Sequence, residues 1–161
     1  MDQSPTPVYA GFWLRLLAYV IDALVMGVAC SIVVVPFVLV MGLTAATGAG
    51  DGEVESGGAA ILAVLMGSFI LVIVFFVLVA AWLYFAIMES SSKQGTLGKM
   101  ALGLKVTDLE GRRISFGRAT GRHFGKIVSQ TILYIGFIMA GFTQQKQALH
   151  DIMAGCLVVR R

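Results

Sequence analysis

The chain of 161 residues is strongly apolar: 58% of its residues are hydrophobic, 13% are charged, and its mean hydropathy is +0.87. Soluble domains carry roughly a quarter of charged residues, so this composition excludes an ordinary soluble globular protein. The net charge of +3 says little as a total, because the basic residues are concentrated in one part of the chain. The length predicts a single domain over residues 1–161.

Two long apolar segments predict two transmembrane helices. Residues 12–43 contain only two charged side chains, Arg15 and Asp22, and residues 59–88 contain none. A helix rises about 1.5 Å per residue and needs roughly 20 residues to cross about 30 Å of hydrocarbon. Both segments exceed this length, so each is predicted to tilt or to extend into the headgroup region.

The charges outside these spans predict the orientation of the chain. The loop of residues 44–58 is acidic and has no Lys or Arg, whereas residues 89–126 carry eight Lys and Arg residues. Short loops rich in Lys and Arg stay in the cytoplasm. The sequence therefore predicts a multi-pass protein of the cell membrane, with loop 44–58 outside and with the N-terminus and the basic segment 89–126 inside. Anionic lipid headgroups at the cytoplasmic face are the predicted partners of that basic segment.

Two features of the basic segment predict local structure. Residues 104–108 and 112–116 alternate in polarity around Leu109-Glu110-Gly111, which is typical of a small cytoplasmic β-hairpin. The end of the C-terminal tail, residues 156–161, also has the pattern of a strand, and the predicted hairpin offers it an edge.

The basic segment continues with glycines and basic residues that each recur every four positions. They predict a helix with a glycine ridge for close packing against another helix and a basic stripe toward lipid phosphates. Alternatively, the glycines are loop residues, since Gly is a poor helix former in water. The glycine ridge comprises Gly117, Gly121 and Gly125, and the basic stripe comprises Arg118, Arg122 and Lys126.

Residues 127–143 form a third apolar membrane segment with two possible paths. A full crossing would place the Lys and Arg residues of the tail 144–161 outside, against the charge rule. A re-entrant hairpin that turns near Gly136 would return the tail to the cytoplasm, and it requires packing inside protein. The fold class predicted is thus a mainly α polytopic membrane protein with two long spans and this third segment.

The charged residues within the spans carry the functional question. Arg15 and Asp22 lie on one helix face, about 10 Å apart along the axis. A charged Asp near the bilayer centre costs roughly 2.5–3.5 kcal/mol, so Asp22 is predicted to face a bundle interior, water or a cation. It is a partner for a basic group, a carboxylate that binds protons or cations, or a neutral packed residue. Asp151 is predicted to approach Arg15 if the tail is cytoplasmic, and otherwise to cap a short surface helix.

The same three residues carry a resemblance to a known family. Arg15 and Asp22 in AGFWLRLLAYVIDAL, and Asp151 in QALHDIMAGCLVVRR, resemble the pattern that names the RDD family of bacterial integral membrane proteins. The block ESSSKQGTLGKMALGLKVTDLEGRRISFGRATGR is similar to the central segment of that family, and the resemblance covers residues 9–161. One departure is Cys156, where many members have Thr. The resemblance implies a membrane protein of unknown function for which transport is suspected.

No catalytic, cofactor-binding or metal-binding residues are predicted, and the chain is not expected to be an enzyme or to bind nucleic acid. Residues 95–99, GTLGK, lack the glycine spacing and the following Ser or Thr of a P-loop. Cys30 and Cys156 stand alone, without the spacing of a metal site. Two functions are open. The protein transports ions or small solutes as an oligomer or with a membrane partner, or it is an accessory or scaffolding membrane protein whose intramembrane charges are structural.

Overall fold

A computed structural model of the chain describes residues 7–48, 56–131 and 135–161. These residues form a mainly helical structure with one two-stranded antiparallel sheet. In chain order the elements are α1 Phe12–Gly48, α2 Ser56–Ser90, α3 Leu97–Ala101, β1 Leu104–Asp108, α4 Phe116–Thr131, α5 Ile135–Phe142, α6 Leu149–Ala154 and β2 Cys156–Arg160.

Helices α1 and α2 each contain a stretch that is long and apolar enough to cross a membrane. These stretches are Phe12–Leu43, with 32 residues, and Val64–Ser90, with 27 residues. Backbone polar groups find no water in hydrocarbon, so a continuous helix is the structure that such apolar runs adopt there. The prediction of two long apolar helices is confirmed. Of the predicted loop 44–58, residues 49–55 lie outside the described residues and the rest extends the two helices.

The chain divides into two compact units. Unit 1 comprises Met1–Leu24 and Trp82–Arg161, and unit 2 comprises Val25–Ala81. Most of the described apolar side chains of unit 2 are exposed, which suits lipid as the solvent. Within unit 2 the rings of Phe37 and Phe69 stack with their centroids 4.4 Å apart. The assignment of residues 1–161 to a single domain stays a prediction.

The sheet of unit 1 joins distant parts of the chain. Strand β1 pairs antiparallel with β2, from Leu104 opposite Arg160 to Asp108 opposite Cys156. On the other side of β2, Tyr9 forms an isolated bridge with Val159. The segment that precedes α1, the segment that follows α3 and the C-terminal tail therefore meet in one sheet.

The predicted β-hairpin is wrong, whereas the predicted C-terminal strand is confirmed. Residues 112–115 are not a strand, and Phe116 begins α4. The carboxylate of Asp108 accepts hydrogen bonds from the backbone N–H groups of Glu110 and Arg112, at 3.0 Å and 2.8 Å. These bonds hold a local turn, and β1 obtains its ladder partner from β2 instead. Val106 and Val158, which lie opposite each other, are both fully buried.

Helix α4 confirms the prediction of a helix after residue 116, but its glycine ridge is only partly engaged. A Cβ atom at Gly125 would lie 3.1 Å from the Cβ of His150 in α6, so this glycine allows close helix packing. A Cβ atom at Gly117 or Gly121 would meet nothing within 4 Å. The prediction of close packing along the whole ridge is therefore corrected to Gly125.

The third apolar segment is divided between α4 and α5. The two helices are bent by 103° from each other, and residues 132–134 between them lie outside the described residues. At Gly136 of α5, an added Cβ atom would lie 2.8 Å from the Cβ of Ser129, so α5 packs closely against the end of α4. Helix α6 ends at Ala154 and is capped by Gly155, which has a left-handed conformation with φ of 59°, and β2 follows at once.

Candidate functional site

The predicted approach of Asp151 to Arg15 is confirmed. Nη1 of Arg15, near the start of α1, donates to Oδ2 of Asp151 in the first turn of α6. Nε of Arg15 donates to the carbonyl oxygen of Ala10 at 2.8 Å. Oδ2 of Asp151 also accepts the backbone N–H of Ala148 at 3.2 Å, so the carboxylate both pairs with Arg15 and binds the start of its own helix.

Arg122 connects this pair to a second buried acid. Its Nε lies 2.7 Å from Oδ1 of Asp151, and its Nη1 lies 2.7 Å from Oε2 of Glu89 at the end of α2. The Arg122 side chain is only 2% exposed. The prediction that Arg122 faces lipid phosphates is wrong, because α4 packs against α6 and turns this guanidinium toward two internal carboxylates.

Of the other two residues of the basic stripe, Lys126 lies near the buried Glu89 and Arg118 lies at the surface. Lys99, from α3, also pairs with Glu89. Oε1 of Glu89 lies 2.5 Å from Nζ of Lys99 and 3.7 Å from Nζ of Lys126. Lys126 also lies over the ring of Phe85, with its Nζ 4.1 Å from the centroid. Arg118 is the exposed member of the stripe, 45% exposed and 3.9 Å from Asp108. The residues connected by these ion pairs form a charge network, which comprises Arg15, Glu89, Lys99, Arg122, Lys126 and Asp151.

Burial and neighbouring charges set the protonation of the network and its surroundings. Burial favours the neutral form of Asp151, but the guanidinium groups of Arg122 and Arg15 outweigh it and hold the pKa of Asp151 below its usual range. Burial lowers the pKa of Lys99 to about 7, with Arg122 acting in the same direction and Glu89 in the opposite one. Burial also lowers the pKa of His150 to about 3, so this buried imidazole is neutral at pH 7.

Asp22 lies apart from these ion pairs. Its side chain is buried, and its Oδ1 accepts hydrogen bonds from the hydroxyl of Tyr84 at 2.9 Å and from the backbone N–H of Gly98 at 2.8 Å. Its Oδ2 accepts a hydrogen bond from the hydroxyl of Thr96 at 2.5 Å. Among the described residues Asp22 forms no ion pair, so of the three predicted roles, the direct pairing with a basic group is not seen.

Gly98 explains how the carboxylate of Asp22 reaches a backbone N–H. A Cβ atom at Gly98 would lie 2.1 Å from the carbonyl oxygen of Ala18 and 3.0 Å from the carboxyl carbon of Asp22. Any side chain at this position would separate α3 from α1. The second glycine of the GTLGK segment, Gly98, is therefore needed for contact between these two helices, not for a phosphate-binding loop.

A cavity of about 320 Å³ in unit 1 adjoins the charge network. Asp22 and four cationic residues of the network line it together with apolar and aromatic side chains. Nη2 of Arg15 is buried and has no hydrogen-bond partner among the described residues. The charged lining residues are Arg15, Asp22, Lys99, Arg122 and Lys126, and the apolar ones include Phe12, Leu16, Phe85, Phe137, Ile138 and Val158.

Sequence reasoning missed Glu89 and the three donors to Asp22. Glu89 is the one acidic residue between Glu55 and Asp108, and it directly follows the uncharged second span. An isolated acid at the boundary of an apolar segment, before a run of basic residues, was the available signal for it. Tyr84 and Thr96 gave no such signal, because neither carries a charge that would mark it as a partner of Asp22.

Neither a metal site nor a disulfide is seen in the described part of the chain. No group of three or more His, Cys, Asp or Glu residues there could hold a metal ion. Cys156 is buried and Cys30 is half-buried, and both are free thiols. The candidate site therefore consists of the charge network, Asp22 and the cavity between them.

Comparisons with known proteins show the family to which the chain belongs. The chain is 39% identical over 152 residues to the uncharacterized protein YxaI of Bacillus subtilis, covering 93% of this chain and 96% of the relative. It is 31% identical over 160 residues to the uncharacterized membrane protein YteJ of the same organism, covering 96% and 82%. No solved structure matches the chain. The RDD family model matches residues 9–155, and this membrane protein belongs to the RDD family.

Proposed function

We propose that the protein crosses the cell membrane twice, with the N-terminus, the basic segment 89–126 and the C-terminus in the cytoplasm. The concentration of Lys and Arg in that segment and their absence from loop 44–58 support this orientation. The sheet supports it further, because β1, β2 and the residues beside Tyr9 pair directly and must lie on the same side of the bilayer.

The same pairing favours a re-entrant path for the third apolar segment. Helices α4 and α5 follow β1 and precede β2, so a single crossing between them would separate two paired strands. The bend of 103° between α4 and α5 agrees with a turn back. A reporter active only in the cytoplasm, fused after Arg161, is expected to be active. An external reporter signal at that position would refute this topology.

We further propose that the protein transports ions or small solutes, acting as an oligomer because two spans rarely enclose a pathway alone. The observation that carries this proposal is the cavity of about 320 Å³ bounded by buried charged side chains near the ends of both candidate spans. Intramembrane ionisable residues that face a cavity are typical of solute and proton pathways. Asp22 lies in the first of these spans and lines the cavity, and its carboxylate accepts hydrogen bonds from neutral donors only.

Flux in proteoliposomes tests this proposal. Purified wild-type protein is compared with Asp22→Asn under imposed Na⁺, K⁺ and H⁺ gradients and with small organic anions. Asn keeps an oxygen for Tyr84 and Gly98, and its amide group can donate to the hydroxyl of Thr96, so the variant is expected to fold and to lose flux. Glu110→Gln is the matched acid-to-amide control, since Glu110 is 65% exposed and remote from the cavity lining. Absence of flux for every solute with folded wild-type protein would refute transport.

A second candidate function is that of an accessory or scaffolding membrane protein. The observation that favours it is the direct bonding of each network carboxylate to groups from separate elements, as Glu89 bonds to Lys99 and Arg122. In that case the charges serve assembly, and the exposed Arg118 and its neighbours face anionic headgroups or a membrane partner. Loss or destabilisation of folded protein in Asp22→Asn, with no flux from folded wild type, would favour this function.

A further inference from the structure

The cavity has more positive than negative charge around it. With every group ionised, Asp22 and the charge network contain four cations and three carboxylates, which leaves one positive charge in excess. All four cations line the cavity, whereas Glu89 and Asp151 do not. Glu89 and Asp151 thus pair with the cations from outside the lining, and the charged groups that a ligand would meet in the cavity are mainly cationic. A buried excess charge is costly unless an opposite charge approaches it.

Two of these cations have bonding capacity left for a ligand. Nη2 of Arg15 is buried without a hydrogen-bond partner among the described residues. Nζ of Lys126 is 3.7 Å from Glu89, longer than a hydrogen bond, and its side chain is 19% exposed. Lys99 adds to this capacity, because its lowered pKa lets it take up a proton when an anion binds nearby.

The one carboxylate in the lining presents little repulsion to an anion. Both oxygens of Asp22 already accept hydrogen bonds, from Tyr84, Thr96 and Gly98. Asp22 therefore limits the cavity to a ligand whose charge is directed at the cations.

The rest of the lining is apolar, which restricts the body of the ligand. Phe12, Leu16, Phe137 and Ile138 contribute to a wall on which a charged or strongly hydrated ion would lose its water without compensation. A volume of about 320 Å³ is at the small end of the range for ligand pockets. The space suits one charged group with a short hydrocarbon part.

We propose that this cavity binds an anion with an apolar body. A carboxylate or phosphate group of this ligand contacts Arg15 and Lys126, and a short alkyl segment lies against the apolar wall. This inference deepens the proposed transport function by naming the substrate class, and it rests on that function only for the movement of the ligand. The shared chemistry occurs in free alkyl carboxylates and in the phosphate end of membrane lipids.

Equilibrium binding to the full chain in phosphatidylcholine nanodiscs tests the ligand class. Octanoate, octanol and acetate are titrated calorimetrically, with empty nanodiscs subtracted to remove partition into the bilayer. Octanoate is expected to bind at least about tenfold more tightly than octanol, which lacks the charge, and than acetate, which lacks the apolar body. Equal affinity of octanoate and octanol, or of octanoate and acetate, would overturn the proposal.

A second arm of the experiment separates the two sources of the anion. Nanodiscs that contain phosphatidic acid are expected to weaken octanoate binding if the lipid phosphate occupies the cavity. Unchanged octanoate affinity in these nanodiscs assigns the cavity to free alkyl anions. Weakened and unchanged affinity can be distinguished only where octanoate binds saturably in phosphatidylcholine. No saturable octanoate binding in phosphatidylcholine, with no retention of phosphatidic acid by the purified protein, would overturn the proposal.

Variants of Lys126 test the contact itself. Lys126→Gln removes the excess charge and is expected to weaken octanoate binding by about tenfold or more. Lys126→Arg keeps the positive charge and is expected to retain octanoate binding. Lys93→Gln is the control, since Lys93 is an exposed lysine away from the cavity. Unchanged affinity in folded Lys126→Gln would refute the contact. Because binding is measured without flux, wild type that binds octanoate but transports nothing would refute only the transport proposal.

Discussion

Replacing Glu89 by glutamine is predicted to destabilise unit 1 more than most single substitutions. The carboxylate is 1% exposed, and it lies 2.7 Å from Nη1 of Arg122 and 2.5 Å from Nζ of Lys99. The amide of glutamine has one oxygen for these cations, and its NH₂ group would direct hydrogens at another donor. With every group ionised, the substitution also raises the excess charge around the cavity from one to two.

The magnitude follows from the burial of the partners. Removing one member of a buried ion pair costs about 3–5 kcal/mol, because an uncompensated charge remains inside the protein. That is a large part of the roughly 5–15 kcal/mol by which folded proteins are stable. An exposed pair such as that of Glu110 with Arg112 contributes at most about 1 kcal/mol, because solvent screens it.

Thermal unfolding of the purified protein in nanodiscs provides the assay, with Glu110→Gln as the control. Glu89→Gln is expected to unfold at a clearly lower temperature than the control. Adding Lys126→Gln to Glu89→Gln returns the excess charge to one and is expected to recover part of the loss. A Glu89→Gln variant as stable as Glu110→Gln would refute the argument that buried charge compensation stabilises this unit.

Three further predictions concern other parts of unit 1. Asp22→Ala is expected to lower the free energy of unfolding by about 1–3 kcal/mol relative to Asp22→Asn, because it leaves buried donors unpaired; equal stability in chemical denaturation would contradict this. Gly98→Ala is expected to destabilise by about 1–3 kcal/mol through overlap with the α1 backbone, while Gly121→Ala, with open space, is expected to be neutral or stabilising. The unfolding free energy is expected to fall by about 2 kcal/mol between pH 7 and pH 5, because His150 has a folded pKa of about 3 and the unfolded chain binds the proton first. His150→Gln should remove most of that decrease, and an unchanged pH profile would contradict a buried neutral imidazole.

The two long helices and one ion pair could be predicted from the sequence. The apolar length of residues 12–43 and 59–88 has few explanations other than a membrane span. Arg15 and Asp151 are far apart in the chain, and their pairing was inferred because a cytoplasmic tail would bring an acid near a basic residue at the start of α1. That inference needed only the side of the membrane, not the detailed packing.

The remaining part of the site depends on packing that periodicity does not report. Arg122 lies in a regular basic stripe, and nothing in its spacing separates it from the exposed Arg118. Which of them is buried is decided by the contact of α4 with α6, where Gly125 allows His150 to approach. The role of Glu89 depends on packing in the same way, since its partners come from positions 10 and 33 residues away.

The predicted hairpin shows the limit of local alternation. Residues 112–116 alternate in polarity as a strand does, but five residues are too few to distinguish a strand from a turn that enters a helix. The Asp108 side chain fixes the turn, and β1 pairs instead with a strand about 50 residues later, which no local pattern specifies.

The coupling free energy between Arg15 and Asp151 tests the central claim most directly, that charges from the two ends of the chain meet in one buried network. Arg15→Met, Asp151→Asn and the double variant are measured by thermal or chemical unfolding in nanodiscs as a double-mutant cycle. The structure predicts a coupling of about 1–3 kcal/mol between two residues that are 136 positions apart. Additive effects, with a coupling within about 0.5 kcal/mol of zero, would contradict the direct contact and with it the network.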